Sequence, residues 1–251
     1  MQKKTIISLN IDTGSYQSFL QKIIDFSKAR MSSYICLANV HMTTEAYLSK
    51  TFAKNVNNAN IIAPDGLPLV KSLRLLYGIK QDRVAGLDIL PDLLKEIERN
   101  ELGVYIYGTT NEVMNATDKY LGLNYPNISN KHYYSPPFRS LTNNEETHII
   151  EQINSSGAHI VFVVLGCPKQ EKWMSSMYGK INACMIGIGG ALTVFVGIRK
   201  KAPRWMRNSG LEWVYRLVQE PRRLFMRYAI SNSLYILLLS LEIIKNKWYK
   251  K

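Results

Sequence analysis

Five short apolar runs, each ending in a polar or glycine-bearing turn, constrain this chain more than any other feature. The runs 34–38, 61–63, 104–107, 160–165 and 183–188 are rich in Ile, Val, Tyr and Ala, and amphipathic stretches separate them. Strand-length runs alternating with helical periodicity predict βαβ units, and so an α/β fold whose mostly parallel sheet carries helices on both faces. A further strand is expected over 5–9, and helices over 16–29, 43–54, 87–100, 112–121, 145–155 and 169–177. Thr109-x-x-Glu112 and Thr142-x-x-Glu145 read as capping boxes. Tyr133-Tyr134-Ser135-Pro136-Pro137-Phe138 reads as an aromatic, turn-rich loop. With 46% hydrophobic residues the chain can bury a sizeable core, which argues against disorder.

The alternation ends near Gly197, and charge takes over. Of the formal net charge of +13, residues 199–251 supply 13 Lys and Arg against three acids, Glu212, Glu220 and Glu242. The chain therefore divides into a core, 1–198, and a basic helical appendage, 199–251. Such an arm suits nucleic acid, anionic lipid or phosphorylated substrates. Pro221 is placed to start a helix. The apolar run 234–244 covers only eleven residues and contains Glu242, whereas a spanning helix needs roughly 20. This run is expected to lie in a membrane interface, with Lys245, Lys247, Trp248, Tyr249, Lys250 and Lys251 at the headgroups, or else to pack on the core or on another subunit. The N-terminal apolar run stops at Ser8-Leu9-Asn10, too early for a signal peptide, which predicts a cytoplasmic protein. Cys36, Cys167 and Cys184 sit in apolar surroundings at no metal-ligand spacing, consistent with a reducing compartment.

In open α/β sheets ligands bind beyond the carboxyl ends of the strands. The five turns there are Asn39-Val40-His41, Pro64-Asp65-Gly66, Gly108-Thr109-Thr110, Gly166-Cys167-Pro168-Lys169-Gln170-Glu171 and Gly189-Gly190. Together they predict one composite cleft. Asp65 reads either as a general base held in a short turn or as the N-cap of a helix beginning at Leu67. Asn39 either orients a substrate hydroxyl or caps a helix, and His41, with no partner nearby, reads as structural. Lys169 and Gln170 open a helix whose free N–H groups favour an anion, or else sit in an ordinary solvated turn. Arg83 is a candidate for a diphosphate, or pairs with a surface acid.

Two absences narrow the chemistry. Gly187-Ile188-Gly189-Gly190 lacks the third glycine of a dinucleotide fingerprint, which disfavours a dehydrogenase. There is no Asp-x-Asp and no His/Cys/carboxylate cluster at ligand spacing, so no metal site is predicted. A departing diphosphate would then rely on arginines and a helix terminus. Arg216, Arg222, Arg223 and Arg227 recur along helical faces and are able to supply that charge or to attract anionic lipid, two uses that can coexist on different faces.

In order, these stretches resemble the WecG/TagA/CpsF family of bacterial glycosyltransferases (glycosyltransferase family 26). The matching pieces are Ala38-Asn39-Val40-His41-Met42, Pro64-Asp65-Gly66-Leu67-Pro68-Leu69-Val70 and Arg83-Val84-Ala85-Gly86-Leu87-Asp88. They continue with Gly166-Cys167-Pro168-Lys169-Gln170-Glu171-Lys172-Trp173 and Gly187-Ile188-Gly189-Gly190-Ala191. A long run follows, through Lys201-Ala202-Pro203-Arg204-Trp205-Met206 and Gly210-Leu211-Glu212-Trp213 to Glu220-Pro221-Arg222-Arg223.

The resemblance implies a Rossmann-like core, a C-terminal appendage and action at the inner face of the cell membrane. It implies transfer of a sugar, with inversion, from a UDP-sugar to a polyprenyl-diphosphate-linked saccharide in capsule, exopolysaccharide or teichoic acid synthesis. UDP-sugar is then a substrate, and no metal or other cofactor is expected. By the same resemblance Asp65 is the general base with Asn39 beside it. Asn39, Arg83 and Gln170 then line the donor and acceptor sites, and the appendage arginines Arg216, Arg223 and Arg227 close over the diphosphate; Gly108, Lys169, Gly189, Gly190 and Thr193 are expected to complete the donor site. Leu37 stands where many members carry Thr, and Thr193 where many carry Asp; both bear on donor choice more than on reaction type. A non-catalytic nucleic-acid-binding protein and another Rossmann-like enzyme are the rival readings. The long aliphatic run in the basic tail and the lack of any nucleic-acid motif argue against nucleic acid. The sequence leaves homo-oligomerisation open.

Overall fold

The computed structural model describes residues 1–248, apart from the side chains of Asn208, Lys247 and Trp248. The headgroup positions expected for Tyr249, Lys250 and Lys251, and for the side chains of Lys247 and Trp248, lie outside the described residues. Two strands, β1 (Gln2–Ile6) and β2 (Leu9–Thr13), form an antiparallel hairpin. Six more, β3 (Ser33–Ala38), β4 (Ile61–Pro64), β5 (Val104–Gly108), β6 (Lys131–Tyr134), β7 (Ile160–Val164) and β8 (Cys184–Gly187), build a sheet in the order β4-β3-β8-β7-β5-β6. Every pairing within that sheet is parallel. The doubly covered α/β architecture read from the alternation is the one observed.

Strand period explains the two-sided core. Tyr34, Cys36 and Ala38 of β3 face one side with Val161 and Val163 of β7, whereas Ile35 and Leu37 face the other with Ile160 and Phe162. The chain crosses between strands through α1 (Tyr16–Lys28), α2 (Val40–Leu48), α3 (Lys50–Asn57), α4 (Leu67–Tyr77), α5 (Gly86–Arg99), α6 (Asn111–Asn124), α7 (Asn143–Ser155) and α8 (Lys169–Met177), and α9 (Ala191–Phe195) follows β8. The apolar faces of α2, α3, α4, α7 and α8 cover the first side, and those of α1, α5, α6 and α9 the second. Three more helices follow among the described residues: α10 (Arg204–Ser209), α11 (Glu212–Gln219) and α12 (Pro221–Trp248).

Four local expectations need correction. The single strand expected over 5–9 is a hairpin turning at Ile7, whose φ of 58° is left-handed. The helix expected over 43–54 is two, broken at Ser49, which ends α2 and whose hydroxyl accepts from Phe52 N–H to start α3. The aromatic segment read as a loop begins with edge strand β6, which is only half buried and so lacks an apolar run. The box expected at Thr109 does not form, because Thr109 has φ 65° and the N-cap is Thr110, which accepts from Val113 N–H and leaves Glu112 out of the N3 position. The box at Thr142 and Glu145 is present as expected.

The end of the chain also departs from its sequence reading. The apolar run 234–244 is the middle of one 28-residue helix, α12, begun at Pro221. Residues 221–246 are long and apolar enough to cross a membrane by length and composition, contrary to the estimate from the run alone. Nonetheless one face of α12 packs on the core. Leu224, Ser231 and Tyr235 are buried, and the Tyr235 and Ser72 hydroxyls meet at 2.7 Å. Glu242, the acid that interrupts the apolar run, accepts a 3.0 Å bond from Ile7 N–H at the hairpin turn.

Candidate active site

A cavity of about 990 Å³, large enough for a sizeable ligand, lies beyond the carboxyl ends of β4, β3, β8 and β7. Helices α10, α11 and α12 supply its other wall. Four of the five strand-end turns line it, and the fifth does not. Gly108, with φ 106°, lets the end of β5 close on β7, since a Cβ there would stand 2.8 Å from the Val164 carbonyl. Thr193 also stays out of the lining, and its hydroxyl donates to Gly190 O within the turn of α9.

Asp65 sits at the tip of β4. Its N–H donates to Ala38 O at 2.8 Å, and Val84 N–H donates to Pro64 O at 2.9 Å, so the turn is tied to β3 and to the segment bearing Arg83. The residue that caps α4 is Gly66, with no side-chain cap bond. The Asp65 carboxylate therefore does not cap the helix; it accepts from Gly86 N–H instead. Burial raises its pKa to about 6, and the nearby Glu212 adds to the rise, while Arg216, Arg83 and the Gly86 bond pull the other way. A half-buried carboxylate with that pKa is largely ionised at neutral pH and still basic enough to accept a proton.

Arginines from both parts of the chain surround it. Arg83 donates to Asp88 at 2.6 Å and to the Arg207 carbonyl at 3.3 Å, and Arg207 reaches the other Asp88 oxygen at 3.4 Å. Arg83 is thus paired with an acid while still lining the cavity. Arg216 pairs with Glu212 at 2.9 Å, one helical turn away. Glu220 holds both Arg199 and Arg223. Arg227 lies over the Tyr228 ring, 5.4 Å from its centroid, and its buried Nε has no partner. Arg222 is exposed and outside the lining. Glu212, Arg207 and Arg199 were not singled out as site residues from the sequence. Only the i, i+4 spacing of Glu212 and Arg216 signalled one of them.

The remaining candidates divide. Asn39 caps α2, its Oδ1 accepting from Met42 N–H at 3.1 Å, and it lines the cavity beside Asp65. Lys169 is exposed at the first turn of α8 and Gly190 borders open space, both in the cavity wall. Burial and the charge of Arg227 hold His41 below its ordinary pKa. Gln170 is buried: its Oε1 accepts from Gly166 N–H at 3.2 Å and its Nε2 donates to Glu171 at 2.7 Å. Its amide fills the space a Cβ on Gly187 or Gly189 would take. Glu171, fully buried and pushed upward in pKa by that burial, thus fixes the Gln170 amide against both glycine turns. Among the described residues no three His, Cys, Asp or Glu side chains gather to hold a metal ion.

A model of the glycosyl transferase WecG/TagA/CpsF family matches residues 4–249. The chain is 28% identical over 225 residues to an N-acetylglucosaminyldiphosphoundecaprenol N-acetyl-beta-D-mannosaminyltransferase of Staphylococcus aureus strain MW2. It is equally similar to the protein of the same name from strain NCTC 8325. In each case the match covers 88% of this chain and 87% of the relative.

Proposed function

Because this chain belongs to the WecG/TagA/CpsF family of glycosyl transferases, we propose that it moves a sugar from a UDP-sugar to a polyprenyl-diphosphate-linked saccharide, with inversion. The observation that carries this reading is Asp65, held by Gly86 N–H between Arg83 and Arg216 with its pKa raised to about 6. Asp65 takes the proton of the acceptor hydroxyl as that oxygen attacks the anomeric carbon. The bond to the nucleotide breaks in the same displacement, and UDP leaves. Arg216, Arg223 and Arg227, all lining the cavity, neutralise the departing diphosphate, so that no metal cofactor is needed.

The protein acts at the cytoplasmic face of the membrane, as a peripheral rather than a spanning protein. A spanning α12 would give up the burial of Leu224 and Tyr235 and the bond from Ile7 to Glu242. The exposed face of α12, bearing Met226, Ile230, Leu237 and Leu241, supports docking on lipid.

The names of the relatives suggest the first substrate pair to test, UDP-N-acetylmannosamine with N-acetylglucosaminyl-diphosphoundecaprenol. A panel of UDP-sugars assayed on that acceptor should give one disaccharide-lipid product with inverted anomeric configuration. A retained configuration would remove the single displacement, and transfer from none of the panel would remove the donor class.

A further inference from the structure

The cavity does not end at the chemistry. Its wall continues from Asp65 along a trough between α4 and α12, as far as Ile243. The character of the lining changes on the way. Near the sheet it is cationic and polar; past the Ser72–Tyr235 contact it consists of Leu75, Ile236, Leu239 and Ile243, with Ser240 among them. The Ser72 and Tyr235 hydroxyls satisfy one another, and the Ser240 hydroxyl donates to Ile236 O, so this stretch offers an apolar ligand no orphaned polar group from these side chains. Leu75 and Ile236 are 66% and 64% exposed, large apolar side chains that the fold does not use. Lys71 lies one turn before Leu75 on α4, lines the same trough, and forms no ion pair among the described residues.

We propose that this trough seats the first isoprenyl units of the acceptor, with Lys71 at its head binding the acceptor diphosphate and Leu75, Ile236, Leu239 and Ile243 covering the chain. The proposal rests on the reading of a polyprenyl-diphosphate acceptor. One cation followed one helical turn later by an apolar channel matches the order of groups in such a molecule: sugar at Asp65, diphosphate at Lys71, hydrocarbon beyond. From Tyr235 to Ile243 α12 rises about 12 Å at 1.5 Å per residue, room for the first isoprenyl units. The neighbouring outer face of α12, with Leu237, Leu241 and Ile244 exposed, lets the rest of the chain remain in the bilayer.

The test is binding without turnover, by calorimetry on the full chain saturated with UDP so that the donor's diphosphate site is filled. The probes are farnesyl diphosphate and inorganic pyrophosphate. Farnesyl diphosphate is expected to bind at least about tenfold tighter, the difference being apolar burial. Leu75→Asp and Ile236→Asp, at exposed positions that the fold tolerates, should bring the two probes within about twofold of each other. Met226→Asp, on the outer face, should keep the preference, and Lys71→Gln should weaken both probes alike. UDP binding by each variant reports that it has folded. A preference absent from the parent protein, or undiminished in both trough variants, overturns the proposal. Failure of the transfer reaction itself would show in the sugar-panel assay and not here, so the two readings fail separately.

Discussion

Glu242 accepts a hydrogen bond from the backbone N–H of Ile7, 235 positions earlier in the chain, at 3.0 Å. With the contact between Ser72 and Tyr235 it fixes α12 to the hairpin and to α4. Glu242→Leu leaves the half-buried Ile7 N–H without its acceptor, a loss of about 1–3 kcal/mol. Thermal unfolding should register a lower midpoint for this variant, whereas Glu242→Gln, which keeps an acceptor, should lie close to the parent.

Asp65→Asn should reduce turnover by ~10²–10⁴-fold while UDP still binds, since an amide cannot accept the proton. In the parent protein the base is active only when ionised. Rate should therefore fall as pH drops through about 6, the raised value of the Asp65 carboxyl, and level off above it. Steady-state rates from pH 5 to 8 check this; a flat profile, or full turnover in the Asn variant, would take the role away from Asp65.

Glu212→Gln isolates one cause of that raised value. Glu212 pushes the Asp65 carboxyl up, and it also occupies Arg216, whose charge pulls the carboxyl down. Removing the negative charge acts in the same direction on both counts. The acid limb of the rate profile should move to lower pH, and an unmoved limb would mean that another group sets it.

The fold was legible where burial is uniform. β3, β5 and β7 are buried along their whole length, and each shows as an apolar run bounded by turn residues. β6 is a half-buried edge strand of sequence Lys-His-Tyr-Tyr, and nothing in its composition separates it from a loop. The hairpin turn at Ile7 carries no glycine or asparagine to announce its left-handed backbone. At the site, the turns that follow the strands were legible because chemistry collects at strand ends. The pairing of Asp88 with Arg207, 119 positions apart, was not, because it depends on how the appendage packs over the core. Likewise Glu242 reads in sequence as a flaw in an apolar run, and only the tertiary contact gives it a partner.

Gly187→Ala tests how the glycine turns are held. A Cβ there would stand 2.8 Å from Gln170 Nε2 and 3.0 Å from Met174 Cε. Gln170 would have to leave Gly166 N–H and Glu171, and the cost should be about 1–3 kcal/mol. Both the unfolding midpoint and transfer should fall. An unchanged midpoint would mean that the Gln170 amide is not confined as described.

The outer face of α12 decides how the protein meets its lipid-borne substrate. Ile230, Leu237 and Leu241 are exposed on a helix whose opposite face is packed against the core, so replacing them with Asp leaves the internal contacts of Leu224 and Tyr235 intact. An interfacial helix is held by buried apolar area together with attraction of basic residues to anionic headgroups. The triple Asp variant loses the first and offsets the second, so its affinity for phosphatidylglycerol vesicles should drop at least about tenfold. Raising the salt concentration should weaken the parent protein only in part, because screening leaves the apolar contribution in place. Transfer to a short-chain acceptor free in solution should persist in the variant, since none of the three residues lines the cavity. Vesicle sedimentation and a solution assay run in parallel separate the two effects. Vesicle binding equal to the parent's would mean that some other surface docks the protein.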